Sequence, residues 1–120
     1  MPAPFYYLAT PYSRYPAGLD AACRDAAEVA ALCFRSGILV FSPITHTHVI
    51  SEVGNLSGAY ERWATLDEAM IAASAGMIIV EMDGWRESVG IAAEIEICRR
   101  LTKPVYYMRP DGPVPQVRIA

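Results

Sequence analysis

The sequence predicts a single α/β domain in which a small, mostly parallel sheet lies between two layers of helices. Short apolar runs alternate with longer segments whose apolar residues recur at helical spacing. Strands separated by helices pair in parallel through crossovers. At 120 residues the chain suits one domain spanning its whole length, residues 1–120.

The elements follow in order. PFYYLAT (4–10) is a short apolar and aromatic run ending at Thr-Pro, the pattern of a buried strand. Prolines, Ser and Gly make TPYSRYPAG (10–18) a loop. From Leu19 to Phe34, apolar residues recur at Leu19, Ala22, Ala26, Val29 and Cys33, which marks an amphipathic helix stopped by Gly37. ILVF (38–41) is the second strand, and residues 42–60 form a long connection with at most a short helical turn. YERWATLDEAMIAAS (60–74) is the second helix. GMIIVEM (76–82) is a nearly continuous apolar run of the kind central parallel strands show. Residues 88–102 form the third helix and 103–108 the fourth strand, and the Pro-rich tail is expected to add an edge or wrap a neighbour. This order defines a three-layer Rossmann-like or flavodoxin-like arrangement.

Composition narrows the function classes. The chain is 53% hydrophobic and only 19% charged, against roughly 45–50% and about 25% in ordinary domains. The surplus of apolar surface favours a homo-oligomer, with residues 43–58 and the second helix as contacts. A net charge of −3 without a basic block argues against nucleic acid as partner. No apolar stretch is long enough to span a membrane, and MPAPFYY does not read as a signal peptide. Cys23, Cys33 and Cys98 are odd in number and form no C-x-x-C, so free thiols in a reducing cytoplasm are expected.

In such sheets ligands bind outside the carboxyl ends of the strands. Here those ends lead into TPYSR (10–14), SPITHTH (42–48) and DGWRES (83–88), which nominate Thr10, Ser13, His46, Asp83, Trp85 and Arg86 as ligand contacts. His46 and His48 would share a face in an extended segment, but a third metal ligand at convincing spacing is lacking, so no metal is expected. Glu94 lies four residues after Gly90, on one face of a helix starting near Ser88. Glycine in a helix costs roughly 1 kcal/mol against alanine. Ala92 and Ala93 sit close by, so a gap left for a ligand before Glu94 would explain Gly90, the plain alternative being a solvated glutamate. Ser88 is expected to cap the helix, and the amides there also suit a phosphate, with Arg14 or Arg86 as charge partner. Asp67 borders an apolar side formed by Trp63, Leu66, Met70 and Ile71, either as a structural residue or as a second acid beside Glu94. The Tyr7 hydroxyl needs a partner if buried.

Taken together, YLATPYS (7–13), LDEAMIAASAGMIIV (66–80) and SVGIAAEI (88–95), in that order and spacing, resemble the nucleoside 2-deoxyribosyltransferase superfamily over residues 5 to 108. DGWRESVGIAAE (83–94) is most similar to an uncharacterised domain-of-unknown-function branch of it. The resemblance implies cleavage or transfer at the N-glycosidic bond of a nucleoside or its 5′-monophosphate. Glu94 would be the nucleophile, ionised and favoured as an anion by the nearby helix amides. Tyr7 would orient it, Asp67 would lie near base and sugar, and Ser88 would contact the 5′-phosphate. No cofactor is implied, and a dimer or larger assembly is. The chain departs from many members at Ile95-Glu96 and at Gly90-Ile91. A non-catalytic nucleotide-binding or sensor domain on the same fold is the competing reading.

Overall fold

The computed structural model describes residues 2–57 and 60–118. Strand β1 (Tyr6–Ala9) leads through a loop to helix α1 (Leu19–Arg35) and strand β2 (Val40–Phe41). Helices α2 (Pro43–Gly54) and α3 (Tyr60–Ala73) follow, then strand β3 (Gly76–Val80), a single 3-10 turn (Trp85–Glu87), helix α4 (Val89–Arg100) and strand β4 (Val105–Met108). The strands pair in the order β2-β1-β3-β4 and every pair is parallel. This is the expected α/β architecture of Rossmann-like and flavodoxin-like type. The chain leaves β1 toward β2 and leaves β3 toward β4, in opposite directions, so a crevice opens between the carboxyl ends of β1 and β3.

Two apolar layers cover the sheet. Tyr6, Leu8, Ile78 and Val80 point to one face, where Val29 and Cys33 of α1 pack. Tyr7, Ala9, Met77 and Ile79 point to the other, against Ile71 of α3 and Ile91, Ile97 and Cys98 of α4. Alternation along β1 therefore puts the Tyr7 hydroxyl on the face of α4. The cysteines are free thiols, and burial pushes Cys33 and Cys98 up to about 11, as for small apolar packing groups. Among the described residues no helix is long and apolar enough to cross a membrane.

Two expectations need correction. The connection after β2 is a twelve-residue helix rather than a loop with a short turn. Ser42 caps it by accepting from the Thr45 amide at 3.4 Å, Pro43 occupies the first turn, and Asn55 closes it in the left-handed region at φ 51°. Its β-branched run lowers helix propensity, and packing on α1 overrides that. The Pro-rich tail adds no strand among its described residues; Val114 and Val117 pack on the chain's own core, and Tyr6 donates to the Arg118 carbonyl at 2.9 Å.

Candidate functional site

At the crevice between β1 and β3, a cavity of about 270 Å3 is walled by the β1–α1 loop, the first turns of α2, α3, Gly84 and the start of α4. Thr10, Ser13, Asp67, Ser88, Gly90 and Glu94 line it, as does Arg14, the one cationic lining residue among those described. Tyr7 reaches it from below: its hydroxyl donates to Glu94 Oε2 at 2.5 Å.

Local structure explains each placement. Residues 91, 94, 97 and 98 form the buried stripe of α4, so Glu94 occupies a core position and is only 6% exposed. Ser88 caps α4 by accepting from the Ile91 amide at 3.2 Å. A Cβ built on Gly90 would meet nothing nearer than Ser88 Oγ at 3.9 Å, so packing within the protein does not require glycine there. What lies before it is the cavity. On α3, Tyr60, Trp63 and Asp67 follow one another at three and four residues and share the cavity-facing side. Asp67 is itself buried.

Burial dominates the electrostatics. It pushes the Glu94 carboxyl up to about 8, against the lowering effect of the Tyr7 hydrogen bond and with a further rise from the Asp67 charge. Burial raises Asp67 to about 6, again opposed by Tyr7. The Tyr7 phenol is raised far above its ordinary range, first by burial and then by the two carboxylates. Tyr7 is thus a permanent donor, and the carboxyl pair carries less than full charge near neutral pH. This corrects the expectation that helix amides hold Glu94 as an anion: Glu94 sits six residues into α4, beyond the reach of the terminal dipole. Three buried polar atoms of cavity residues, Thr10 Oγ1, Trp63 Nε1 and Asp67 Oδ1, have no hydrogen-bond partner among the described residues. A ligand bearing both donors and acceptors would satisfy them.

Besides Tyr7, which reaches the cavity through Glu94, four nominated residues are not among the cavity lining. His46 is on the exposed side of α2 and packs on Phe41, with ring centroids 5.7 Å apart. His48, two residues on, turns inward, so the two do not share a face; a helix separates them where an extended segment would not. Asp83, Trp85 and Arg86 follow β3, where Gly84 turns left-handed at φ 84°. That turn brings Ser88 to the cavity and sends Trp85 onto Tyr107 of β4, with the Arg86 guanidinium over its ring at 5.1 Å. Arg86 thus lies over the Trp85 ring outside the cavity lining, whereas Arg14 lines the cavity. Sequence reasoning missed Tyr12, Thr47 and Tyr60 as lining residues. The spacing of Tyr60 from Trp63 and Asp67 was a usable signal; Thr47 was hidden by the unrecognised α2.

One group of potential metal ligands exists among the described residues: atoms of Asp20, His48 and Glu52 lie within 4.8 Å of one another. His48 Nε2 is already 2.9 Å from Asp20 Oδ1, so a cation would have to replace that hydrogen bond.

Fold and site together define an α/β domain with a paired-carboxyl cleft at its topological switch point. Residues 5–110 match the family described as Domain of unknown function (DUF1937), and the chain belongs to that family. No curated protein matches it.

Two outcomes follow from this geometry. Raised carboxyl pKa values mean that the folded state holds protons the unfolded chain has released. The stability they carry is complete below about pH 4 and is lost as pH rises through about 6 and then about 8. Glu94→Gln removes the larger part of that loss. Its melting temperature relative to the parent should be higher at pH 9 than at pH 5 by on the order of 5 °C or more; a difference independent of pH would contradict the burial argument. Gly90→Ala should fold and gain up to about 1 kcal/mol, measured by urea unfolding, while its affinity for any cleft ligand drops at least about tenfold. Unchanged affinity would show that the gap is not occupied.

Proposed function

We propose that the protein cleaves or exchanges the N-glycosidic bond of a nucleoside or nucleoside 5′-monophosphate, with Glu94 as nucleophile. The observation that carries this reading is a buried glutamate, oriented by a tyrosine hydroxyl at 2.5 Å and paired with a second buried carboxyl, at the edge of a small-molecule cleft. The likeness of its motifs to the nucleoside 2-deoxyribosyltransferase superfamily supports the same conclusion.

The chemistry suits the groups. Glycosidic cleavage builds positive charge on the sugar, and an adjacent carboxylate stabilises it and then bonds to the anomeric carbon. Tyr7 occupies one lone pair of Oε2 and holds the carboxylate in line. Asp67, with one unpartnered oxygen, accepts a sugar hydroxyl. Glu94 reacts in its carboxylate form, having given its proton to solvent before the substrate binds, and the burial that disfavours this anion makes it a strong nucleophile. Gly90 clears room for the sugar, and a 5′-phosphate, where present, sits at Ser88 and the first α4 amides with Arg14 beside it. The reaction needs no metal or organic cofactor. Three free thiols suit a reducing compartment such as the cytoplasm.

The test is a chromatographic screen of nucleosides and their 5′-monophosphates, with and without an acceptor base. Released or exchanged base is expected, and on substrates whose leaving group needs no proton kcat/KM should rise with pH up to about 8 as Glu94 ionises. Glu94→Gln should bind but turn over at least about 10³-fold more slowly, and Asp67→Asn should lose less if it only positions the sugar. Nucleotide bound tightly but left intact by excess protein would establish the non-catalytic binding domain instead.

The protein is also a homo-oligomer in this reading. Helix α2 exposes Val49, Ile50 and Val53, the last 85% exposed, beside the cleft wall formed by its first turns. The cavity lies just below the roughly 300–1,000 Å3 usual for small-molecule sites, and a neighbouring copy would complete it. Light scattering at micromolar concentration should give a multiple of 13.1 kDa; a 13.1 kDa species alone would refute the assembly.

A further inference from the structure

Behind the β1–α1 loop lies a hydrogen-bonded chain that the Glu94 chemistry does not use. His48 is buried on α2, and both of its ring nitrogens are engaged. Nδ1 is 2.7 Å from the Tyr12 hydroxyl and Nε2 is 2.9 Å from Asp20 Oδ1 on α1. Glu52 Oε1, one helical turn on, is 3.8 Å from the same Nε2. Tyr12 and His48 also stack edge to face at 5.7 Å. The chain runs from carboxylates open to solvent, Asp20 at 89% and Glu52 at 63% side-chain exposure, through a buried imidazole to a residue of the cleft wall.

Glycosidic cleavage requires a proton for the departing base as well as a nucleophile. Asp67 is poorly placed to give it. It interacts with Tyr7 and Glu94 and so belongs to the nucleophile's wall, while the base leaves away from that wall. Of the polar groups on the other walls (Thr10, Tyr12, Ser13, Arg14 and Thr47), Tyr12 alone is hydrogen-bonded to a histidine. We propose that Asp20, His48 and Tyr12 form a proton relay that protonates the leaving base. This rests on the N-glycosidic reading above.

The step balances as follows. With both ring nitrogens of His48 protonated, Nε2–H donates to Asp20 and Nδ1–H donates to the Tyr12 oxygen, which frees the Tyr12 O–H for the cleft. Glu94, as carboxylate, bonds to the anomeric carbon as the C–N bond breaks, and that electron pair goes to the base. The base takes the Tyr12 proton, Tyr12 takes the Nδ1 proton, and His48 ends neutral with Nε2–H still on Asp20. When water opens the glycosyl ester, its oxygen goes to the sugar, Glu94 is released as carboxylate, and the remaining proton returns through Tyr12 to His48. In transfer, the N–H proton of the incoming base returns the same way. The groups facing this chain are Glu52 from α2 and Cys23 and Asp20 from α1; burial first, and then these groups, raise the Tyr12 phenol, so it passes a proton on without resting as phenolate.

The experiment compares leaving groups. Ribo- and deoxyribonucleosides and their 5′-monophosphates need a proton to release the base; 4-nitrophenyl β-D-ribofuranoside and its 5′-phosphate scarcely do. Tyr12→Phe and His48→Gln should lose about 10²–10³-fold in base release but less than about tenfold in nitrophenol release. Glu94→Gln should lose both. Where Tyr12→Phe proves unfolded by its melting curve, Asp20→Asn, at an exposed position, should show the same leaving-group dependence with a smaller loss. Equal losses on both substrate types, or no loss on either, would overturn the relay and leave the Glu94 reading standing. Nitrophenol release without base release by the parent protein would likewise overturn the relay. Release of neither would overturn both.

Discussion

The hydrogen bond from Tyr7 to Glu94 is the contact on which the rest of the site depends. It joins the first strand to the last helix across 87 residues. A carboxyl group in the core-facing stripe of a helix is costly to bury without a donor. Tyr7 supplies the donor from a strand position where the ring itself is fully buried. The same burial that raises the pKa of Glu94 deprives its anion of hydration, which in the proposed reaction would strengthen it as a nucleophile. On the proposed function, stability and chemistry are therefore opposed at this one residue.

The fold explains why this bond forms where it does. Parallel pairing of β1 with β3 sets Tyr7 level with Met77, and the divergence of the chain beyond these strands leaves the crevice uncovered by a crossover. Around it, each wall comes from a different local rule. A left-handed Gly84 turns the chain so that Ser88 can cap α4, and Gly90 then keeps the first turn of that helix open toward Glu94. Helix α2, started by Ser42-Pro43, carries Thr47 to the cleft and His48 behind it. The last of these links ties the loop after β1, α1 and α2 together through a single imidazole.

Much of this was legible in the residues. Strands β1 and β3 and helices α1, α3 and α4 followed from apolar runs and helical periodicity. Gly90 and Glu94, four residues apart, pointed to a gap before a carboxylate, and both line the cleft. Helix α2 was not legible, because its threonines, valines and isoleucines favour extended structure locally, and only packing on α1 makes them helical. Reading that segment as extended then misplaced His46 and hid the His48–Asp20 pair, which spans 28 residues. Trp85 and Arg86 misled for a different reason. Their position at the end of β3 suggested the cleft, but the handedness of one glycine sends them to the neighbouring strand. The ionisation of Glu94 depends on desolvation, and its burial depth is a property of the assembled core.

The central claim is that Glu94 bonds to the anomeric carbon. Mass spectrometry of protein quenched during turnover of a 2-fluorinated nucleoside or its 5′-monophosphate, whose glycosyl-enzyme hydrolyses slowly, tests it most directly. The account predicts a glycosyl adduct on the peptide that contains Glu94, absent from Glu94→Gln. An adduct on Asp67 or any other residue, or turnover of the parent substrate by Glu94→Gln at the full rate, would contradict it.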